Sequence, residues 1–270
     1  RQFIFRFSLL VSASALLGLA LNSLTMTVTR LLWVLGLLVT EQGHWMALAC
    51  FALFVVSMRK SNLRTLDGSL ARVFLIVSFV IFARPVYIAA NEEETWRREF
   101  ETAFKVTAPQ PWFSTWKLLS FDFSAPKFER RSFNGRTGAS VHYDLYKGEG
   151  AGPHPVVIVV HGGGWDSGDS SQIPELNAVL NRAGYTVASV DYRLAPQSMW
   201  PAQREDVEDT IADLKLRAQE WSLNTSGVYL VGRSAGGQIA GAVGFVNPTV
   251  CLKGLAAYYA PTDLTFGYEV

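Results

Sequence analysis

The chain has 270 residues, 49% of them hydrophobic, a formal net charge of +1 at pH 7 and two cysteines. A charge so near balance, with no basic run in the globular part, excludes the electrostatic footprint of a nucleic-acid binder. Cys50 and Cys251 lie in unlike surroundings and define no disulfide framework.

The averages hide two unlike halves. Residues 1–90 hold long apolar runs, whereas the remainder has the charge and turn density of a soluble domain. We therefore expect a membrane region over 1–90, a connecting or cap segment over 91–125 and a globular α/β domain over 126–270. Both ends look cut: the chain opens on Arg1 and stops at Val270.

Phe7 to Leu24 is apolar and uncharged, long enough for one bilayer crossing at about 20 residues. A signal peptide is the competing reading. Leu31 to Val39 and Trp45 to Met58 are each short for a span and flank Glu41-Gln42-Gly43-His44, which suggests two tilted helices or a hairpin that does not cross fully. Val73 to Ala90 follows, with Arg84-Pro85 set to kink it. Three or four membrane helices are expected. Arg84, near a helix end, reads as a side chain that snorkels to the interface. The basic group Arg59, Lys60, Arg64 and Arg72 belongs in the cytoplasm by the positive-inside rule, so the last helix exits outward and the globular domain is extracytoplasmic. Arg97 and Arg98 on the opposite side weigh against that orientation.

Asn91 to Lys105 reads as a solvated connecting helix. Pro109 to Pro126 is rich in Pro, Trp and Phe (Trp112, Phe113, Trp116, Phe121, Phe123), suited either to a membrane interface or to a cap over the active site. Phe128 to Phe133 and Val141 to Tyr146 alternate around Asn134-Gly135, the pattern of an antiparallel hairpin at a sheet edge. His142 and His154 each stand outside any cluster of acidic or cysteine residues and read as surface histidines, not metal ligands.

Val156 to Val160 is a β-branched run of the kind buried on both faces of a sheet. It empties into His161-Gly162-Gly163-Gly164-Trp165-Asp166-Ser167-Gly168. Three glycines after a core strand expose backbone N–H groups, which suits an oxyanion hole. A flexible or phosphate-binding loop is the alternative, but a Walker lysine is absent. A helix over Ser170 to Arg182, a strand over Tyr185 to Val190, the segment Asp191-Tyr192-Arg193-Leu194-Ala195-Pro196 and an amphipathic helix over Ala202 to Trp221 come next.

Val228 to Val231 then meets Gly232-Arg233-Ser234-Ala235-Gly236, and a small-residue helix pattern follows at once. This is the pattern of a nucleophile elbow, with an ordinary Gly-rich strand-to-helix turn as the alternative until the glycine loop after Val160 is counted with it. A serine at the tip of such a turn takes a strained backbone, and only glycines two residues either side leave room for the flanking strand and helix. The helix N-terminus favours a developing anion. Leu255 to Tyr259 is a last short strand. Strands alternating with helices imply a mostly parallel α/β sheet whose site lies at the C-terminal strand ends, where His161, Asp191 and Ser234 all fall.

With the His161 to Gly168 loop, Asp191 to Pro196, Trp200-Pro201-Ala202 followed by Asp206, and Gly232 to Gly237 in this order, the chain resembles the α/β-hydrolase fold. More narrowly it is similar to the hormone-sensitive-lipase-like esterases and bacterial carboxylesterases, over roughly residues 128–264. The resemblance implies Ser234 as nucleophile, the N–H groups of Gly163, Gly164 and Ala235 as oxyanion hole, and His161 as an organiser of the loop rather than a base. Gly162, Gly232 and Gly236 support the two motifs. Family members more often carry Asp or Glu where Arg233 stands.

All four histidines precede Ser234, whereas this fold places the acid and the histidine after the nucleophile. The acid and base are therefore expected beyond Val270, with Asp263 as a turn cap. The implied protein is a membrane-anchored carboxylester hydrolase acting through an acyl-enzyme, on a small acyl ester, with neither metal nor organic cofactor, and with membrane lipid around its N-terminal helices. A non-catalytic membrane-tethered module and a serine peptidase of prolyl-oligopeptidase type are the alternatives.

Overall fold

The computed structural model describes residues 2–25, 29–59, 64–105, 127–246 and 250–264. The chain divides into two compact units, residues 1–121 and 122–270. The aromatic stretch Pro109 to Pro126 lies outside the described residues.

In the first unit α1 (Gln2–Asn22), α2 (Arg30–Glu41), α3 (Gly43–Ser57) and α4 (Leu66–Phe104) form a helical group. Thr29 and Thr65 cap α2 and α4, each hydroxyl accepting a backbone N–H of the first turn. α4 packs on α1 and α3 through a core of small and apolar residues that includes Ala13, Ala20, Cys50, Ala71, Leu75 and Phe82. The approach is close: a Cβ on Gly43 would stand 2.7 Å from the Phe82 carbonyl oxygen.

Two of these helices, α1 and α4, are long and apolar enough to cross a membrane. α2 and α3 meet at a 78° bend, so the count is two, or three if that bent pair is one span. α2 alone rises only about 18 Å against an apolar bilayer thickness of about 30 Å. The apolar run to Ala90 and the connecting helix after it are continuous. α4 runs through Pro85 and on to Phe104 as one helix. Its polar half has helix-favouring Glu and Arg residues joined one turn apart, Arg98 to Glu94 and Arg97 to Glu101.

The second unit is a six-stranded sheet. Its elements are β1 (Glu129–Asn134), β2 (Ser140–Tyr146), β3 (His154–Val160), α5 (Pro174–Arg182), β4 (Thr186–Asp191), α6 (Ala202–Leu216), β5 (Leu223–Arg233), α7 (Ala235–Val246) and β6 (Leu252–Tyr258). The strand order is β1-β2-β4-β3-β5-β6. β2 pairs antiparallel with β1 and β4, and the remaining pairs are parallel. The edge hairpin and the parallel core follow the sequence pattern.

Val156 to Val160 are all buried because both faces of β3 are covered. Ile158, Val190 and Leu230 pack with Ile211 of α6 and Ile239 of α7 on one face, while Val157, Val159 and Val187 meet Leu180 of α5 on the other. Burial of each such side chain stabilises the fold by about 1.5–3 kcal/mol.

Two details depart from expectation. α5 starts at Pro174, not Ser170, because Ser170 is fully buried and tied sideways: its hydroxyl donates to Asp144 Oδ2 (2.7 Å) and its carbonyl accepts from the Ser189 hydroxyl (2.8 Å). His154 is not a surface residue. It is buried at the start of β3, with ring nitrogens 3.2 Å and 3.4 Å from the carbonyl oxygens of Gly184 and Gly150.

Candidate active site

β3, β4 and β5 run parallel and end at Val160, Asp191 and Arg233, so His161 and Ser234 follow the C-terminal ends of adjacent strands. Ser234 stands alone between β5 and α7 with φ +50°, a left-handed conformation that a residue with a Cβ adopts only under constraint. The constraint is visible on both sides. Its N–H donates to the Tyr258 carbonyl on β6 (2.9 Å), and its own carbonyl accepts from Gly237 (2.9 Å) and Gln238 (3.1 Å), starting α7.

The flanking glycines are required by space. A Cβ on Gly232 would lie 2.3 Å from the Gly236 oxygen, and one on Gly236 would lie 2.2 Å from the oxygen of His161. Ser234 itself is only partly covered.

The glycine loop lies against this turn. A Cβ on Gly162 would be 3.4 Å from the Ser234 Cβ and 3.0 Å from the Arg233 oxygen. Gly163 and Gly164 have φ of +129° and +60°, and a Cβ on Gly163 would sit 2.0 Å from the Ser167 oxygen. The Gly163 carbonyl accepts three hydrogen bonds, from the N–H groups of Asp166 (3.2 Å) and Ser167 (3.0 Å) and from the Ser167 hydroxyl (2.7 Å). Because the peptide is planar and trans, pinning that carbonyl turns the Gly164 N–H away from the Asp166–Ser167 turn. Among the described residues neither Gly163 nor Gly164 uses its N–H as a donor. Ala235, the first residue of α7, likewise has no donor role within its helix.

His161 is 1% exposed. Its ring stacks on Tyr192 with centroids 4.1 Å apart, its Nδ1 is 2.7 Å from the Gly162 oxygen, and its carbonyl accepts from the Tyr192 hydroxyl at 3.1 Å. Burial lowers its pKa, with the Gly162 carbonyl opposing. A neutral, enclosed imidazole of this kind shapes the loop. The other histidines are placed elsewhere: His44 on α3, His142 on β2 beside Ser140, and His154 at the start of β3.

Arg233 is buried, and its Nη2 donates to the Gln172 carbonyl at 3.2 Å. Asp191 closes β4, with its pKa raised by burial against the opposing pull of Arg130, whose Nη1 is 3.5 Å away. Arg130 also makes a bidentate pair with fully buried Asp144.

Sequence reading did not foresee three contacts. Asp206, fully buried on α6, accepts from the Arg193 N–H (2.8 Å) and from its guanidinium (2.7 Å to Nη2), which fastens the segment after β4. The Trp165 carbonyl accepts from the Ala195 N–H (2.9 Å), and its indole Nε1 donates to Gln238 Oε1 (3.1 Å). Asp206, Arg193, Trp165 and Ala195 fall within the ordered motifs of the sequence, whereas Gln238 carried no signal there. Beside these groups lies a cavity of about 760 Å³, bordered by Gly164, Trp165, Met199, Trp200, Gln238 and Leu264 among others.

A serine on a strained strand-to-helix turn, with a glycine loop of free amides on the neighbouring strand, defines the α/β-hydrolase class. A family model described as BD-FAE matches residues 143–265. Carboxylesterase NlhH of Mycobacterium tuberculosis is 38% identical over 87 residues, 32% of this chain and 27% of that protein. Esterase LipC of the same organism is 35% identical over 95 residues, 34% of this chain and 23% of its own length. Versiconal hemiacetal acetate esterase of Dothistroma septosporum is 33% identical over 102 residues, covering 37% and 31% respectively. The chain thus spans between 23% and 31% of the length of these relatives. Over residues 143–265 the chain is thus similar to α/β-hydrolase carboxylesterases.

Proposed function

We propose that the protein is a membrane-anchored serine hydrolase that cleaves carboxylic esters through an acyl-enzyme. The observation that carries this reading is the placement of Ser234, partly open and at φ +50°, against a glycine loop whose Gly163 and Gly164 amides donate to no described residue. Ser234 Oγ adds to the ester carbonyl and its proton passes to an imidazole. The carbonyl oxygen becomes an anion held by the N–H groups of Gly163, Gly164 and Ala235. The C–O bond to the alcohol then breaks, the alcohol takes the proton and the acyl group stays on Oγ. Water, deprotonated by the same imidazole, adds to the acyl carbonyl and releases the acid and Ser234.

That imidazole is none of the four histidines among the described residues, since His161 is locked in the loop and the other three sit on other elements. α1 and α4 anchor the protein in the bilayer, with Arg59, Arg64 and Arg72 on the cytoplasmic side and the hydrolase domain on the other.

The test is turnover of p-nitrophenyl esters by the full-length protein. Ser234→Ala is expected to lower kcat by about 10⁴-fold or more. A wild-type protein that binds esters without cleaving them supports the non-catalytic alternative instead.

A further inference from the structure

Gln238 has two attachments that pull in different directions along the site. Its backbone N–H donates to the Ser234 carbonyl at 3.1 Å, fixing the first turn of α7 to the elbow. Its side-chain oxygen accepts from the Trp165 indole at 3.1 Å, reaching across 73 positions of sequence to the glycine loop. Trp165 in turn has φ +65°, a conformation that carries strain in a residue with a side chain. It sits between Gly164 and the Asp166–Ser167 turn whose N–H groups pin the Gly163 carbonyl, so any relaxation of Trp165 toward ordinary backbone angles shifts that turn and, through the pinned carbonyl, the peptide that carries the Gly164 N–H. Two hydrogen bonds oppose that relaxation: Ala195 N–H on the Trp165 carbonyl and Gln238 on the indole.

We propose that Gln238 is a positioning residue, which clamps Trp165 and thereby holds the Gly164 amide aimed at the oxyanion formed over Ser234. The inference deepens the proposed ester hydrolysis and rests on it for its kinetic readout. Gln238 needs no contact with substrate for this role. Its acceptor oxygen is what matters, whereas its amide hydrogens, which donate to no described residue, are dispensable. The alternative role for a residue on this wall is simple shaping of the 760 Å³ cavity. The two roles differ in what they affect. A clamp on the oxyanion loop acts in the transition state and so sets kcat, while a cavity wall acts on substrate binding and so sets KM.

The experiment compares Gln238→Leu, which removes the acceptor, with Gln238→Glu, which keeps it, in the full-length protein with p-nitrophenyl esters. In parallel the 15N-labelled tryptophan indole spectrum is recorded, and the Trp165 signal is assigned by its loss in Trp165→Phe. Gln238→Leu is expected to lower kcat about tenfold with KM changed less than twofold, and to move the Trp165 indole signal. Gln238→Glu is expected to restore kcat to within about threefold of wild type, with the indole proton still bonded. A rise in KM at unchanged kcat, equal losses in both variants, or an indole signal unmoved in Gln238→Leu would each overturn the clamp. If the wild-type protein turns over no ester, the hydrolase reading fails on that result, and the clamp is then decided by the indole signal alone.

Discussion

The oxygen of His161 and the Cα of Gly236 are so close that a Cβ on Gly236 would stand 2.2 Å from it. The glycine loop and the helix that follows Ser234 are therefore in backbone contact. Gly236→Ala forces them apart, since the obstacle is main chain and cannot swing away as a side chain tip would. Overpacking of this kind costs about 1–3 kcal/mol or more. The expected outcome is a lower melting temperature and a loss of esterase activity larger than the loss of folded protein, measured by thermal denaturation alongside turnover. A variant as stable and active as wild type would refute the contact.

Asp206 anchors the chain after β4 by accepting from both the backbone and the guanidinium of Arg193. Asp206→Ala leaves a partly exposed cation and a backbone N–H without their acceptor, a loss of about 2–3 kcal/mol. Asp206→Asn keeps one acceptor oxygen and should lose less. Urea denaturation of the two variants checks the order. Equal loss in both would show that charge, not the backbone bond, is what fastens the segment.

His161 makes stability pH-dependent with a definite sign. Burial holds its folded pKa below the ordinary histidine value of about 6.5. Between those two values the unfolded chain binds the proton and the folded protein does not, so stability falls as pH drops through this window and levels off below the folded pKa. Asp191 contributes with the opposite sign at lower pH, because burial raises its pKa. His161→Gln removes the first effect and leaves the second. Its melting temperature should change less than that of wild type between pH 7 and 5. An identical slope in both proteins would contradict a neutral, enclosed His161.

Much of this was legible in sequence, and what was legible was local. The elbow glycines, the triple-glycine loop and the β-branched run Val156–Val160 are each encoded within a few residues, so their placement at strand ends could be read directly. What escaped depends on partners far along the chain. Ser170 leaves the helix because Asp144 and Ser189 capture it, His154 is covered by carbonyls of Gly150 and Gly184, and Trp165 meets Gln238 across the site. The composition change at Asn91 falls inside α4, which continues past it on good helix formers.

The membrane reading makes its own prediction. α1 and α4 are apolar over a length that spans a bilayer. The full-length protein should stay with the membrane pellet after alkaline carbonate extraction. Release into the supernatant would show that these helices pack against protein instead.

The decisive measurement is covalent labelling of the full-length protein with a fluorophosphonate, followed by mass spectrometry of the peptide that spans residues 228–243. A single adduct on Ser234, abolished in Ser234→Ala and unaffected in Ser226→Ala, is the predicted result. An unlabelled protein, or an adduct on another serine, would contradict a nucleophile poised over the glycine loop.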